Sequence, residues 1–185
     1  MISLDEEMVG QDAGTLIIRA IKVCAGVACQ LADGRVVGAH FSSTCPSPAI
    51  VTALNFIHNQ MVGGSSITSM SIVLNASEWG GRISIVPAFK GLLRFDGTAK
   101  VYDKNILGAS VDIRLQSGQA LECQTTDAGD GGVLQATNAV HKVMLGMGDK
   151  FKTNPLVAVD NRRYFHKVPA NVTGFAPMQI GFAAI

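Results

Sequence analysis

Residues 23–41, VCAGVACQLADGRVVGAHF, hold two short apolar runs joined by an Asp33-Gly34 pair. That pair is specific for local structure. Both centre positions of a type I′ turn need φ above zero, which Gly adopts freely and Asp tolerates. The spacing predicts a tight β-hairpin, and a sheet must be built around it. The hairpin also gathers chemistry, because Cys24 opens the first strand and His40 stands near the end of the second, sixteen residues later. A thiol becomes a useful nucleophile when a neighbouring base or cation helps it ionise.

Strand parity tests that pairing. With a two-residue turn Ala32 faces Arg35, so His40 faces Val27 and shares its side with Ala25 and Cys29. Cys24 then faces Ser43 on the other side of the sheet. One extra residue reverses this, since a bulge sends every later residue to the opposite face. Ala25-Gly26 is the expected place, because glycine inside a strand often marks a bulge. A regular hairpin would instead make Cys29 the thiol on the histidine's side.

The remaining elements predict an α/β (α+β) fold: a central mixed sheet or sandwich flanked by about three helices. Residues 15–31 read as extended from their β-branched content. Ser47 and Pro48 form a helix start, followed at helical spacing by Ile50, Ala53, Leu54, Ile57 and Met61, with Gly63-Gly64 as the stop. Residues 67–74 alternate as a strand, and 75–82 form a loop around Trp79. A second helix starts near Pro87, carries Phe89, Leu92 and Leu93, and closes at Gly97. A strand over 99–102 and a hairpin of 110–115 with 119–123 around Ser117-Gly118 follow. Residues 127–132 read as a Gly/Asp loop, and Val133, Ala136, Val140, Val143, Met144 and Met147 as a third helix.

At 185 residues the chain is long enough for one self-sufficient core, so a single domain is expected over 1–185. A net charge of +1 gives no basic field for nucleic acid. The opening MISLDEEMVGQ is acidic and unlike a signal peptide, and no apolar run is long enough for a membrane span. Cys24, Cys29, Cys45 and Cys123 do not read as a disulfide framework in a chain of this size. Cys24, Cys29, His40 and Cys45 have the count of a Cys3His structural zinc site, the chief rival to a nucleophilic Cys24. That set needs ligands on one side, whereas an extended strand scatters them over two. Trp79, in SEWGGR, is either core or a lip that touches substrate. His58 and His141 read as solvated or capping residues, and Arg162-Arg163 with His166 and Lys167 as a solvated face or partner edge.

CAGVACQLADGRVVGAHF resembles the signature of the chemoreceptor glutamine deamidases of the CheD family. There a catalytic Cys begins a strand, a second Cys and a short turn follow, and a catalytic His sits in a Gly-x-x-His-like context. The counterparts are Cys24, Cys29 and His40, and the order of helices and strands that follows is similar over residues 14–124. Residues 125–185 stand apart as a C-terminal extension packed on this core. Lys22 and Val23 replace the family's small residues before the nucleophile, and the Cys-to-Cys spacing is one residue longer. The catalytic domains of cytotoxic-necrotizing-factor-like toxins share the fold. The resemblance implies a bacterial protein, acting in the cytoplasm or as a secreted effector, that deamidates a glutamine of a protein substrate without a cofactor. Cys24 would be the nucleophile and His40 the base. Ser42, two residues on, would orient the imidazole, and Ser43, Thr44 and Trp79 would meet the substrate. A catalytically inactive binding module of the same fold is the other alternative.

Overall fold

The first strands already belong to different sheets. In the computed structural model, which describes residues 1–45, 47–79, 85–103, 110–126, 140–141, 164–167, 176–177 and 183–184, β1 (Ile2–Leu4) lies parallel to β3 (Thr15–Ile21). β2 (Met8–Asp12) lies antiparallel to β5 (Val36–Phe41). The first sheet continues from β3 through β8 (Ser110–Gln116) to β9 (Glu122–Thr126). The second runs β2, β5, β4 (Ala25–Leu31), β6 (Ile67–Leu74) and β7 (Lys100–Asp103). Short strands extend the edges: β10 (Val140–His141) on β2, β11 (Tyr164–Lys167) on β7, β12 (Ala176–Pro177) on β9 and β13 (Ala183–Ala184) on β11. The fold is α+β, with two mixed sheets and helices on one outer side.

Two cores result. Leu16, Ile18, Ile21, Val111 and Ile113 of the first sheet pack on Ala28, Val36 and Val73 of the second. The outer face of the second sheet turns Val27, Cys29, Val37, Ala39 and Phe41 toward the helices. α1 (Ser47–Phe56) meets that face with Ala49, Ile50, Ala53 and Leu54, and passes into a π-helical segment Ile57–Val62 that buries Ile57 and Met61. Gly63, at φ +58°, ends the π-helical segment by donating its N–H to the His58 carbonyl at 3.1 Å. The short α2 (Ala76–Trp79) and α3 (Ile85–Leu93) lie between the parallel strands β6 and β7. Phe89 of α3 stacks obliquely on Phe41, ring centroids 5.7 Å apart. Each such fully buried large side chain contributes about 1.5–3 kcal/mol.

The central hairpin differs from expectation at its turn. Leu31 N–H donates to the Arg35 carbonyl at 2.9 Å and Gly34 N–H to the Leu31 carbonyl at 3.0 Å. Three residues, Ala32 to Gly34, therefore span the turn, with Gly34 left-handed at φ +88°. This is the type I turn followed by a left-handed glycine. The ladder is regular from Ala25–Phe41 to Gln30–Val36, so the bulge expected at Ala25-Gly26 is absent. Arg35 explains the choice of turn. Its guanidinium donates to the carbonyl of Met61 at 2.6 Å and to Gln11 at 2.7 Å, beside its ion pair with Asp33.

Other expectations also change. Residues 15–31 are not one strand, since the chain leaves the first sheet after Ile21 and enters the second at Ala25. The irregularity sits in β3 instead, where the register against β8 shifts between Ile18 and Ile21 and Ala20 takes φ +52°. The second helix closes at Arg94 (φ +52°) rather than at Gly97, with Phe95 N–H on the Lys90 carbonyl. In the expected third helix, 140–141 is strand, and its other residues and the 127–132 loop lie outside the described ones.

Candidate active site

The three-residue turn decides what faces what. His40 pairs with Gly26, and residues directly opposite in a ladder share a face. A Cβ on Gly26 would meet Ile21, Ile113 and Ile18, so that face is the one between the sheets. Cys24, two residues before Gly26, belongs to the same intersheet core. Cys24 and His40 thus lie on one side of the sheet, and Cys29 lies on the other, among the residues under the helices.

Cys24 sits in the crossing between β3 and β4, and that crossing is braced from three directions. Trp79 Nε1–H donates to the Val23 carbonyl at 2.8 Å, and Asn75 Nδ2 to the Lys22 carbonyl at 3.2 Å. The Asp112 carboxylate accepts from Ala20 N–H at 2.7 Å. Bulges of the kind found at Ala20 often re-aim a chain beside a functional site. The thiol is 4% exposed and donates to Glu6 Oε1 at 3.1 Å. Burial first, then the hydrogen bond and charge of Glu6, push the Cys24 pKa up to about 12, while the amides of Lys22 and Val23 pull it down.

His40 is 1% exposed, and neither Nδ1 nor Nε2 has a hydrogen-bond partner among the described residues. Burial lowers its pKa to about 4, opposed by the charges of Glu6 and Asp5 and by the backbone at Leu4 and Asp5. An unpartnered buried polar side chain is expensive, on the order of 1–3 kcal/mol, and rare enough to need a reason. Thiol and imidazole are both neutral at pH 7, and no hydrogen bond joins them.

The other expected residues fall differently. Ser42 is buried, but its hydroxyl bonds the Thr44 hydroxyl at 2.7 Å and accepts from Thr44 N–H at 3.1 Å. Closing that turn occupies it, so it does not orient His40. Ser43 is half-buried and Thr44 exposed, at the same end of the sandwich as Cys24. Trp79 is 2% exposed and forms no lip, because its indole packs in the helix-side core and braces the Cys24 segment. The Cys3His set is not assembled either: Cys29 and Cys45 face the helices, Cys24 and His40 the opposing sheet. Among the described residues no three His, Cys, Asp or Glu side chains group as metal ligands. Cys24, Cys29, Cys45 and Cys123 are all buried, and no disulfide links any two of them.

Glu6 stands outside every motif of the sequence. Its signal was the run Asp5-Glu6-Glu7 between two short apolar segments. The run forms the turn by which the chain crosses from β1 to β2, and Glu7 N–H donates to the His40 carbonyl at 2.8 Å. The site is thus a buried thiol and a carboxylate from two crossings between the sheets, with an imidazole from strand β5, at one end of an α+β sandwich. Compared with protein-family models, curated proteins and solved structures, the chain matches none.

Proposed function

We propose that this chain is a cysteine-dependent protein-glutamine deamidase. The observation that carries the reading is the placement of Cys24 and His40 on one face at one end of the sandwich. Cys24 Sγ attacks the side-chain amide carbon of a glutamine while its proton passes to His40. With the thiol held near 12 and the imidazole near 4, proton transfer accompanies C–S bond formation rather than preceding it. The carbonyl electron pair moves to oxygen, where the amides of Lys22 and Val23, which already bear on the thiol, would stabilise it. Collapse expels ammonia carrying the proton from His40 and leaves a thioester. Water then adds, gives its proton to His40, and displaces the thiol, which recovers that proton. The net change is glutamine plus water to glutamate plus ammonia. Half-buried Ser43 and exposed Thr44 follow β5 and would meet the substrate, as would Val23, which is 37% exposed and adjoins the nucleophile in sequence.

Intact-mass analysis of candidate protein substrates is the test. Wild-type protein should add about one dalton per converted glutamine, and Cys24→Ser should add nothing. No gain on any substrate, with Cys24 unreactive to thiol probes, would end the reading. The 4% exposure and raised pKa of Cys24 favour a second reading, a catalytically inactive binding module. In that case Cys24→Ser binds the same partner as the wild-type protein, and neither changes the partner's mass.

A further inference from the structure

We propose that Glu6 completes this site as a positioning residue, its carboxylate holding the Cys24 thiol and serving as counter-charge to the imidazolium that forms on His40. The inference rests on the deamidase reading for its catalytic meaning, but its physical content stands apart. The thiol's hydrogen bond goes to Glu6 Oε1 at 3.1 Å and not to the histidine. The imidazole is buried, so a proton arriving there creates a desolvated charge, which the Glu6 carboxylate favours first and the backbone at Leu4 and Asp5 after it. Glu6 lies two residues before Met8, which pairs with His40, and the next amide, Glu7 N–H, is bonded to the His40 carbonyl. The acidic turn is therefore anchored to the histidine's own backbone while its side chain reaches the nucleophile.

Two carboxylates bear on the pair, both from the β1–β2 turn: Glu6 on Cys24 and His40, and Asp5 on His40 alone. Glu6 thus has opposite effects before and during reaction. At rest it keeps the proton on the thiol, and during attack it steadies the proton on the imidazole. A cation formed in a desolvated place needs such a partner, since burial penalises its charge. Ser42 does not supply one, being bound to Thr44.

The experiment is Glu6→Gln, which keeps an oxygen acceptor for the thiol and removes the charge, with Asp5→Asn as the neighbouring control. His40 is titrated by NMR on labelled imidazole, and alkylation of each cysteine is followed by mass spectrometry at pH 8. Glu6→Gln should lower the His40 midpoint below its wild-type value of about 4. It should also speed Cys24 alkylation about tenfold, one pKa unit being tenfold in thiolate, with Cys29 and Cys123 still protected. Asp5→Asn should lower only the His40 midpoint. A Glu6 that merely held the turn together would act with the opposite sign on His40, because loosening hydrates the ring and raises its midpoint toward 6.5. A raised or unmoved His40 midpoint, or unchanged Cys24 alkylation, overturns the proposal. Neither readout needs a substrate, so a failed search for deamidation would retire the reaction and leave this coupling standing.

Discussion

His40 stands directly opposite Gly26 in the β4–β5 ladder, and this pairing turns its imidazole toward the intersheet core that also holds Cys24. Shifted by one residue, the ladder would place His40 opposite Val27, under the helices. The observed register has a packing reason. It puts Gly26, Ala28 and Gly38 together on the face that the first sheet must approach closely, and Val27, Val37 and Phe41 on the face the helices cover.

The turn that sets this register depends on Gly34. At φ +88° a side chain is strained, so Gly34→Ala should cost about 1 kcal/mol in denaturant unfolding. An unchanged midpoint would contradict the left-handed turn.

The close approach of the sheets gives an ordered pair of effects. A Cβ on Gly38 would lie 2.5 Å from the Val27 carbonyl oxygen, which cannot swing away, and 2.6 Å from Leu16 Cδ2. On Gly26 the nearest atom is Ile21 Cδ1, at 2.7 Å, the end of a flexible side chain. Gly38→Ala should destabilise by about 1–3 kcal/mol and Gly26→Ala by less, as read by urea titration. Equal losses would mean that the sheets separate more easily than the packing indicates.

Acid stability should carry the signature of His40. Its folded pKa is lowered from 6.5 to about 4 by burial, so the unfolded chain takes up a proton first as pH falls. Stability is complete above about 6.5, and about 3 kcal/mol is lost by pH 4, below which this contribution levels off. His40→Gln should flatten that part of the stability–pH curve. An unaltered slope in the variant would assign the loss to other groups.

Trp79 should matter through the Cys24 segment. Trp79→Phe keeps most of the ring volume and removes the N–H that meets the Val23 carbonyl at 2.8 Å. A loss of about 1 kcal/mol is expected, with faster alkylation of Cys24 and none of Cys29. Labelling of both thiols together would instead indicate general loosening of the fold.

Much of the fold was legible because it depends on local pattern. Ile50, Ala53, Leu54, Ile57 and Met61 lie at helical spacing and are buried as a set, and Ile67–Leu74 is a strand with the expected bounds. Gly63 ends its helical segment through a conformation glycine adopts freely. The crossing at residues 22–24 was not legible. An extended run looks the same whether or not it changes sheets, and the bulge at Ala20 is fixed by Asp112, distant in sequence. The strands at Ile2–Leu4 and Met8–Asp12 are too short to announce themselves by periodicity.

The sequence by itself determined that a hairpin joins Cys24 to His40, and that a glycine near residue 34 lets the chain reverse. The turn's length was decided elsewhere. A guanidinium bonded to Met61 and Gln11, and glycines needed where the sheets close, select three residues over two. Side chains alternate with period two, so that single residue determines which thiol shares the histidine's face. Glu6 enters the site for the same reason: only the packing of one sheet on the other brings the β1–β2 turn against Cys24.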